Sequence, residues 1–214
     1  MSAITSFGDD RYAAAAGLVE RAAAAQVSGI PEHPADDGFF GPASITWRIN
    51  TDMSGSVAGL RSLLMQALHP LAMAGVDQHS DWRRDPVGRL AATTAYVTTV
   101  TYGERAAAER AASRVRKIHE HVRGTDAITG QPYAAGDPAL LLWVHAALVE
   151  STLAVSKLFG TPLSPADQDQ YVAEMAVAAE LVGVPPGQVP RTLAGLAQYL
   201  AAVRPELRCT PAAS

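Results

Sequence analysis

The sequence predicts an all-α fold, a single domain built as an orthogonal bundle of several helices. Three observations carry this. Apolar residues recur at the helical period in several windows. Three prolines directly follow residues that cap helices well, in Asp85-Pro86, Asp137-Pro138 and Ser164-Pro165. No run of alternating β-branched residues competes with these helices.

Taken in order, residues 10–27 read as an Ala-rich amphipathic helix. Residues 28–38, rich in Pro, Gly and Asp, read as a loop, so 1–37 form an N-terminal helix and linker ahead of a helical domain over 38–208, with 209–214 as a tail. Ser44 is a candidate N-cap for a short helix in which Ile45, Trp47 and Ile49 are expected to be buried. Residues 56–75 read as one strong helix, with Val57, Leu60, Leu63, Leu64, Ala67, Leu68 and Leu71 at helical spacing. Pro70 is expected to kink it or to set a boundary near His69. The polar stretch 77–86 reads as a loop. A helix follows from Pro86 to about Tyr102, although Thr93, Thr94, Thr98, Thr99 and Thr101 are an unusual load for one. Residues 104–123 read as the next helix, ended by Gly124. After a turn-rich loop come a long apolar helix from Pro138 to about Phe159, a helix over 165–181, a Pro/Gly loop over 183–190 and a last helix over 191–203.

Composition bounds what this domain does. Apolar residues make up 48% of the 214 and charged ones 18%, with a net charge of −4. That is a soluble globular balance, and it argues against a nucleic-acid binder working by bulk charge. A single cysteine, Cys209, excludes an internal disulfide framework and a cysteine-cluster metal site, and fits a reducing, cytoplasmic compartment. The apolar stretch 139–155 contains His145 and Glu150 and reads as a buried helix and not as a membrane span. There is no His-Glu-x-x-His pattern, no phosphate-binding Gly-rich loop and no Gly-x-Ser-x-Gly elbow.

Residues 113–124 hold the most suggestive chemistry. Read as a helix, they place His119 and Arg123 four apart on one face, with Arg116 on the same side. An imidazole flanked by guanidinium groups suits a ligand that combines a metal with an anion. Porphyrin iron with its propionates is such a ligand. A helix with Arg114, Arg116, Lys117 and Arg123 reads equally as a solvated face. His145, on an otherwise apolar face, reads as a core histidine or as a rival axial ligand. His69, before Pro70, and His79, beside Asp81, Trp82 and Arg83, are candidates for a pocket wall or for structural roles. Arg89 and Thr93 share a helical face. They read either as a cap-side ion pair with Asp85 plus a packed Thr, or as a cation and a hydroxyl facing one cavity. Between 81 and 123 there are nine Lys/Arg against five Asp/Glu, an excess that favours an anionic ligand in an acidic protein.

Four segments carry a resemblance. They are Gln66-Ala-Leu-His-Pro-Leu-Ala-Met-Ala-Gly-Val-Asp-Gln-His-Ser80, Asp85-Pro-Val-Gly-Arg-Leu90, Arg116-Lys-Ile-His-Glu-His-Val-Arg-Gly-Thr-Asp126 and Leu141-Leu-Trp-Val-His-Ala-Ala-Leu148. In this order they resemble the MpaB/rubber-oxygenase family, which includes the latex-clearing proteins, over about 40–207. The resemblance is nearest to its short actinobacterial members. It implies a partly globin-like helical domain that binds one haem b and uses dioxygen on a small hydrophobic, unsaturated substrate. It places His119 as the axial iron ligand, completed by Arg123 in a His-x-x-x-Arg pattern. It matches Arg89 and Thr93 to the family's Arg-x-x-x-Thr pair near the haem. Arg116 and His145 then join the cofactor shell, and Thr93, His69 and His79 line the distal side. Ala92 stands where the rubber cleavers carry a Lys, so a Lys-gated opening is not expected. The resemblance also implies helices beyond Arg208, where this chain ends at Ser214. The alternatives are a non-enzymatic helical protein that binds haem or a hydrophobic small molecule, or a cofactor-free scaffold.

Overall fold

A computed structural model describes residues 38–52, 54–160 and 162–213, and of Pro86 and Val87 the backbone alone. The expected N-terminal helix and linker lie outside the described residues. Within them the chain forms eight α-helices and one small hairpin, and the all-α expectation holds. The helices are α1 (Ile45–Asn50), α2 (Gly55–Gln66), α3 (Pro70–His79), α4 (Pro86–Tyr102) and α5 (Arg105–His119), then α6 (Pro138–Phe159), α7 (Pro165–Val182) and α8 (Leu193–Val203). The hairpin pairs β1 (Arg123–Thr125) antiparallel to β2 (Pro132–Ala134), with Gly124 opposite Tyr133.

The caps foreseen in the sequence are built. Asp85 accepts from the Gly88 amide at 2.8 Å and Asp137 from Ala139 at 2.9 Å, each ahead of a proline whose missing N–H costs nothing there. Ser164 and Asp167 form a reciprocal capping box at the start of α7. Gly183, at φ +116°, ends the same helix. The amides of Val184 and Gly183 turn back to Ala179 and Glu180, a closure that needs the left-handed region.

The boundary expected near His69 is present, because His69 takes the extended conformation that a following proline imposes and α3 starts at Pro70. Three expectations are corrected. Helix α3 continues to His79, into the stretch read as a loop. The helix over 104–123 stops at His119, and the chain turns into β1. Arg123 is therefore not on a helical face with His119. In α1, Trp47 is only half-buried, edge-on to Tyr102, and Thr46 takes the interior position.

The core fixes where a site can lie. Ile45, Ile49, Val100, Val149, Val172 and Met175 meet between α1, α4, α6 and α7. The most extensive helix pairing is α2 on α6. It is made by small residues: Ser56, Ala58, Ser62 and Gln66 are the buried positions of α2, while Val57 and Leu64 are exposed. The large apolar residues that mark this helix in the sequence thus do not form its inner face. Helix α6 is long and apolar enough to cross a membrane, yet 72% of its most apolar window is buried within the protein, as expected for a core helix.

Candidate functional site

Gly103 separates α4 from α5, which pack on each other as neighbours. The end of α5 thereby comes back to the start of α4. There His119 and Arg89 meet. The His119 ring is half-buried, and its Nδ1 is buried without a hydrogen-bond partner. Burial, and then the nearby Arg89 guanidinium, hold its pKa below the ordinary imidazole value. The ring is thus kept neutral, the form that coordinates a metal.

Arg89 is also half-buried, and burial lowers its own pKa. It has no carboxylate partner among the described residues. The ion pair with Asp85 is not formed, because Asp85 caps Gly88 instead. A partly desolvated guanidinium with no counter-charge is an anion site in waiting.

One turn along α4, Thr93 donates to the Arg89 carbonyl at 3.2 Å and lines a partly open cavity of about 60 Å³. The cavity lies between α2, α4, α6 and α7. Its α2 wall includes Gly55, Gly59, Ser62 and Gln66, and its α4 wall includes Leu90, Thr94 and Thr98. A Cβ built on Gly59 would stand 3.4 Å from Leu90 Cδ1, so the glycine keeps the seam between α2 and α4 narrow but unfilled. No acidic, basic, histidine or cysteine side chain lines this cavity.

The remaining candidates lie apart from this pairing. His145 is buried on α6 and continues by one turn the line of Leu148 and Thr152, both of which border the cavity. It makes no hydrogen bond among the described residues, and desolvation lowers its pKa to about 4. His69 is buried at the α2–α3 corner, with its Nε2 3.6 Å from Glu206 Oε2 and its ring centroid 5.9 Å from that of Trp143. Its Nδ1 is buried and unpartnered, and desolvation outweighs Glu206 in lowering its pKa. His79 is exposed, edge-on to Tyr133. Neither His69 nor His79 borders the cavity.

Two arginines are occupied elsewhere. Arg116 donates to the Leu181 carbonyl at the end of α7. Arg123 donates through Nε and Nη2 to the Glu120 carbonyl at 3.1 and 2.5 Å, and its side chain borders a separate, shallow groove of about 550 Å³ beside the hairpin. Thr94 and Thr98, in the sequence only an unusual load for a helix, prove to be cavity walls. Gly59 carries no signal in the sequence; its role lies in the approach of Leu90 from the facing helix.

Among the described residues no three His, Cys, Asp or Glu side chains converge, so a bare ion has no protein cage here. A prosthetic group that carries its own metal donors needs one imidazole only.

Residues 47–214 match the family model described as "ER-bound oxygenase mpaB/B'/Rubber oxygenase, catalytic domain". No curated protein and no solved structure matches the chain.

Proposed function

We propose that this chain, which belongs to the mpaB/rubber oxygenase family, is a haem b-dependent oxygenase that uses dioxygen on a small hydrophobic, unsaturated substrate. Membership makes it an oxygenase-type catalytic domain. The haem and the substrate class are our reading. One observation carries it: a neutral His119 with an orphaned ring nitrogen beside an Arg89 that has no carboxylate partner among the described residues.

The donor set fits haem. His119 would hold the iron, and Arg89 would hold a propionate by a charge-assisted hydrogen bond. The space is the stricter test. A volume of about 60 Å³ is far below the roughly 300–1,000 Å³ of small-molecule pockets. Neither His119 nor Arg89 lines that cavity, so a porphyrin held by them requires α2 and α4 to part along the Gly55–Gly59 seam.

When bound, haem supplies an iron centre that takes dioxygen. The chain supplies the rest. Arg89 orients the group by its carboxylate. Thr93 spends its proton on the Arg89 carbonyl and so presents hydroxyl lone pairs to the cavity. Leu90, Val97 and Leu148 provide apolar wall against which an alkene packs. No side chain in this wall is a base near neutral pH, so the pocket orients and shields without taking protons itself.

A titration of the purified protein with haemin tests the reading. A Soret band that forms at one equivalent, and is lost in His119→Ala but retained in His121→Ala, is expected. No band, or one indifferent to His119, overturns it. The burial of His145, which makes no hydrogen bond among the described residues, favours a second reading, a carrier in which His119 and His145 would both hold the group. A ferric spectrum that changes in His145→Ala supports the carrier, and one that does not supports the oxygenase.

A further inference from the structure

Helix α5 has an inner and an outer side. Ala108 and Ala112 are fully buried on the inner one. The outer side carries Arg110, Arg114 and Lys117, all exposed and spaced i, i+4, i+7 along one helical face. The other cations of this helix are engaged. Arg105 stands 4.2 Å over the Phe39 ring, and Arg116 donates to the Leu181 carbonyl. The outer three are not: none makes an ion pair or a side-chain hydrogen bond among the described residues. No acid interrupts the row. Glu109 projects about 100° round the helix from Arg110, and Glu120 caps the helix on that same flank. On the opposite flank, four residues from Arg114, stands Ile118, 56% exposed. An exposed apolar residue is ordinary alone. Beside three uncompensated cations it makes a mixed surface with a basic ridge and an apolar edge.

We propose that this outer face of α5 is a docking surface for an anionic lipid bilayer. The three cations form a line and do not converge on a point, and none borders the cavity or the groove. A small anion therefore has no cradle among them. A plane of lipid headgroups meets all three at once, because Arg110 to Lys117 spans only about 10 Å of helix. Ile118 reaches past the headgroups to the acyl boundary, where an exposed apolar side chain is favoured. The phosphates of a nucleic acid offer it no such place. The whole chain carries a net charge of −4, so an anionic surface repels the acidic remainder and turns the basic ridge towards itself. His119 is on the inner side of the same helix. Docking thus holds the candidate site about one helix diameter, 10–12 Å, from the layer in which apolar molecules dissolve. The inference uses only the outer face of α5 and stands apart from the haem assignment.

Co-sedimentation of the full chain, without added cofactor, with phosphatidylcholine vesicles that contain or lack phosphatidylglycerol tests it. Binding is expected to the anionic vesicles only, and to weaken as salt rises. Each Lys or Arg near such a surface strengthens binding roughly fivefold, so Arg110→Gln, Arg114→Gln and Lys117→Gln together cost about 100-fold. Ile118→Ser costs roughly fivefold, for the half of the side chain that lipid would cover, and keeps the salt dependence. Leu158→Ser, at the exposed end of α6, leaves binding unchanged and serves as the comparison. These side chains lie on the surface, and the melting curve of each variant checks that it is folded. Four results overturn the proposal: no binding to anionic vesicles, equal binding to neutral ones, indifference to the triple substitution, or a loss in Leu158→Ser in place of Ile118→Ser. A duplex oligonucleotide that displaces the protein from anionic vesicles and binds Ile118→Ser as well as wild type would assign the ridge to nucleic acid instead, and overturns it too.

Discussion

Replacing Gly59 by Ala tests the α2–α4 seam, because two consequences run in opposite directions. Gly59 lies mid-helix in α2, where Ala is favoured by about 1 kcal/mol. The added Cβ would lie 3.4 Å from Leu90 Cδ1 and meet nothing else within 4 Å. That is ordinary contact, so the gain is not lost to overpacking. The cofactor-free variant is expected to melt about 2–4 °C higher than wild type. Haemin binding moves the other way. A flat ligand needs about 3.5–4.0 Å of clearance to the carbon atoms on each face, and the new methyl group occupies part of that clearance. Overpacking of this kind costs about 1–3 kcal/mol, a roughly 5- to 150-fold loss of affinity. Calorimetric or spectroscopic melts with and without haemin, together with a haemin titration, read both quantities. A lower melting temperature without ligand refutes the described seam. Unchanged haemin affinity refutes its use as the cofactor's place.

Arg89→Leu removes a cation that has no carboxylate partner among the described residues and is expected to weaken haemin binding roughly tenfold or more while leaving the helical content intact; equal affinity in absorption titrations would show that no propionate lies there. Acid sensitivity follows from the buried His69 and His145 and the half-buried His119, whose pKa values lie below the unfolded value of 6.5. The folded state then binds fewer protons than the unfolded chain below pH 6.5, so stability is flat above that pH and falls on acidification towards about 4. The interval for His145 alone, from 6.5 to about 4, corresponds to about 3 kcal/mol. Melts between pH 7 and pH 4 should steepen in this window, and His145→Gln should flatten the slope; a variant with the wild-type slope counts against the burial argument. Trp143→Phe removes the indole donor that serves the Gln66 carbonyl at 3.1 Å in the fully buried α2–α6 contact. A loss of about 1–3 kcal/mol is expected by chemical denaturation, with a loss under half of that refuting the bond's importance.

Much of the architecture was legible because it rests on local chemistry. Asp85-Pro86, Asp137-Pro138 and Ser164-Pro165 each announce a helix start through side-chain caps that need no tertiary partner. The break before Pro70 is equally local. The hairpin was not legible. Each strand has three residues, too few for alternation to register, and Arg123 was read as helical because the preceding residues are good helix formers. The inner face of α2 was hidden for a different reason. Periodicity finds large apolar residues, whereas the close α2–α6 approach selects Ala58 and Ser62 and leaves Leu64 outside. At the candidate site, the helical spacing of Arg89 and Thr93 was readable. That Arg89 stands beside His119, while Arg116 and Arg123 are engaged by carbonyls, depends on how α4, α5 and α7 return on one another. Spacing within one segment carries no record of that.

Arg123 acquires a different meaning from this geometry. It ties the Glu120 carbonyl, one residue beyond His119, while the Ala135 amide holds Val122 at 2.8 Å and Tyr133 fastens the hairpin to Gln78 on α3. The direction of the imidazole is thus set through the main chain by a clasp that does not border the cavity. Loosening that clasp, for instance with Gly124→Ala, whose Cβ would lie 2.7 Å from the Tyr133 hydroxyl, would swing the ring without altering any residue around it.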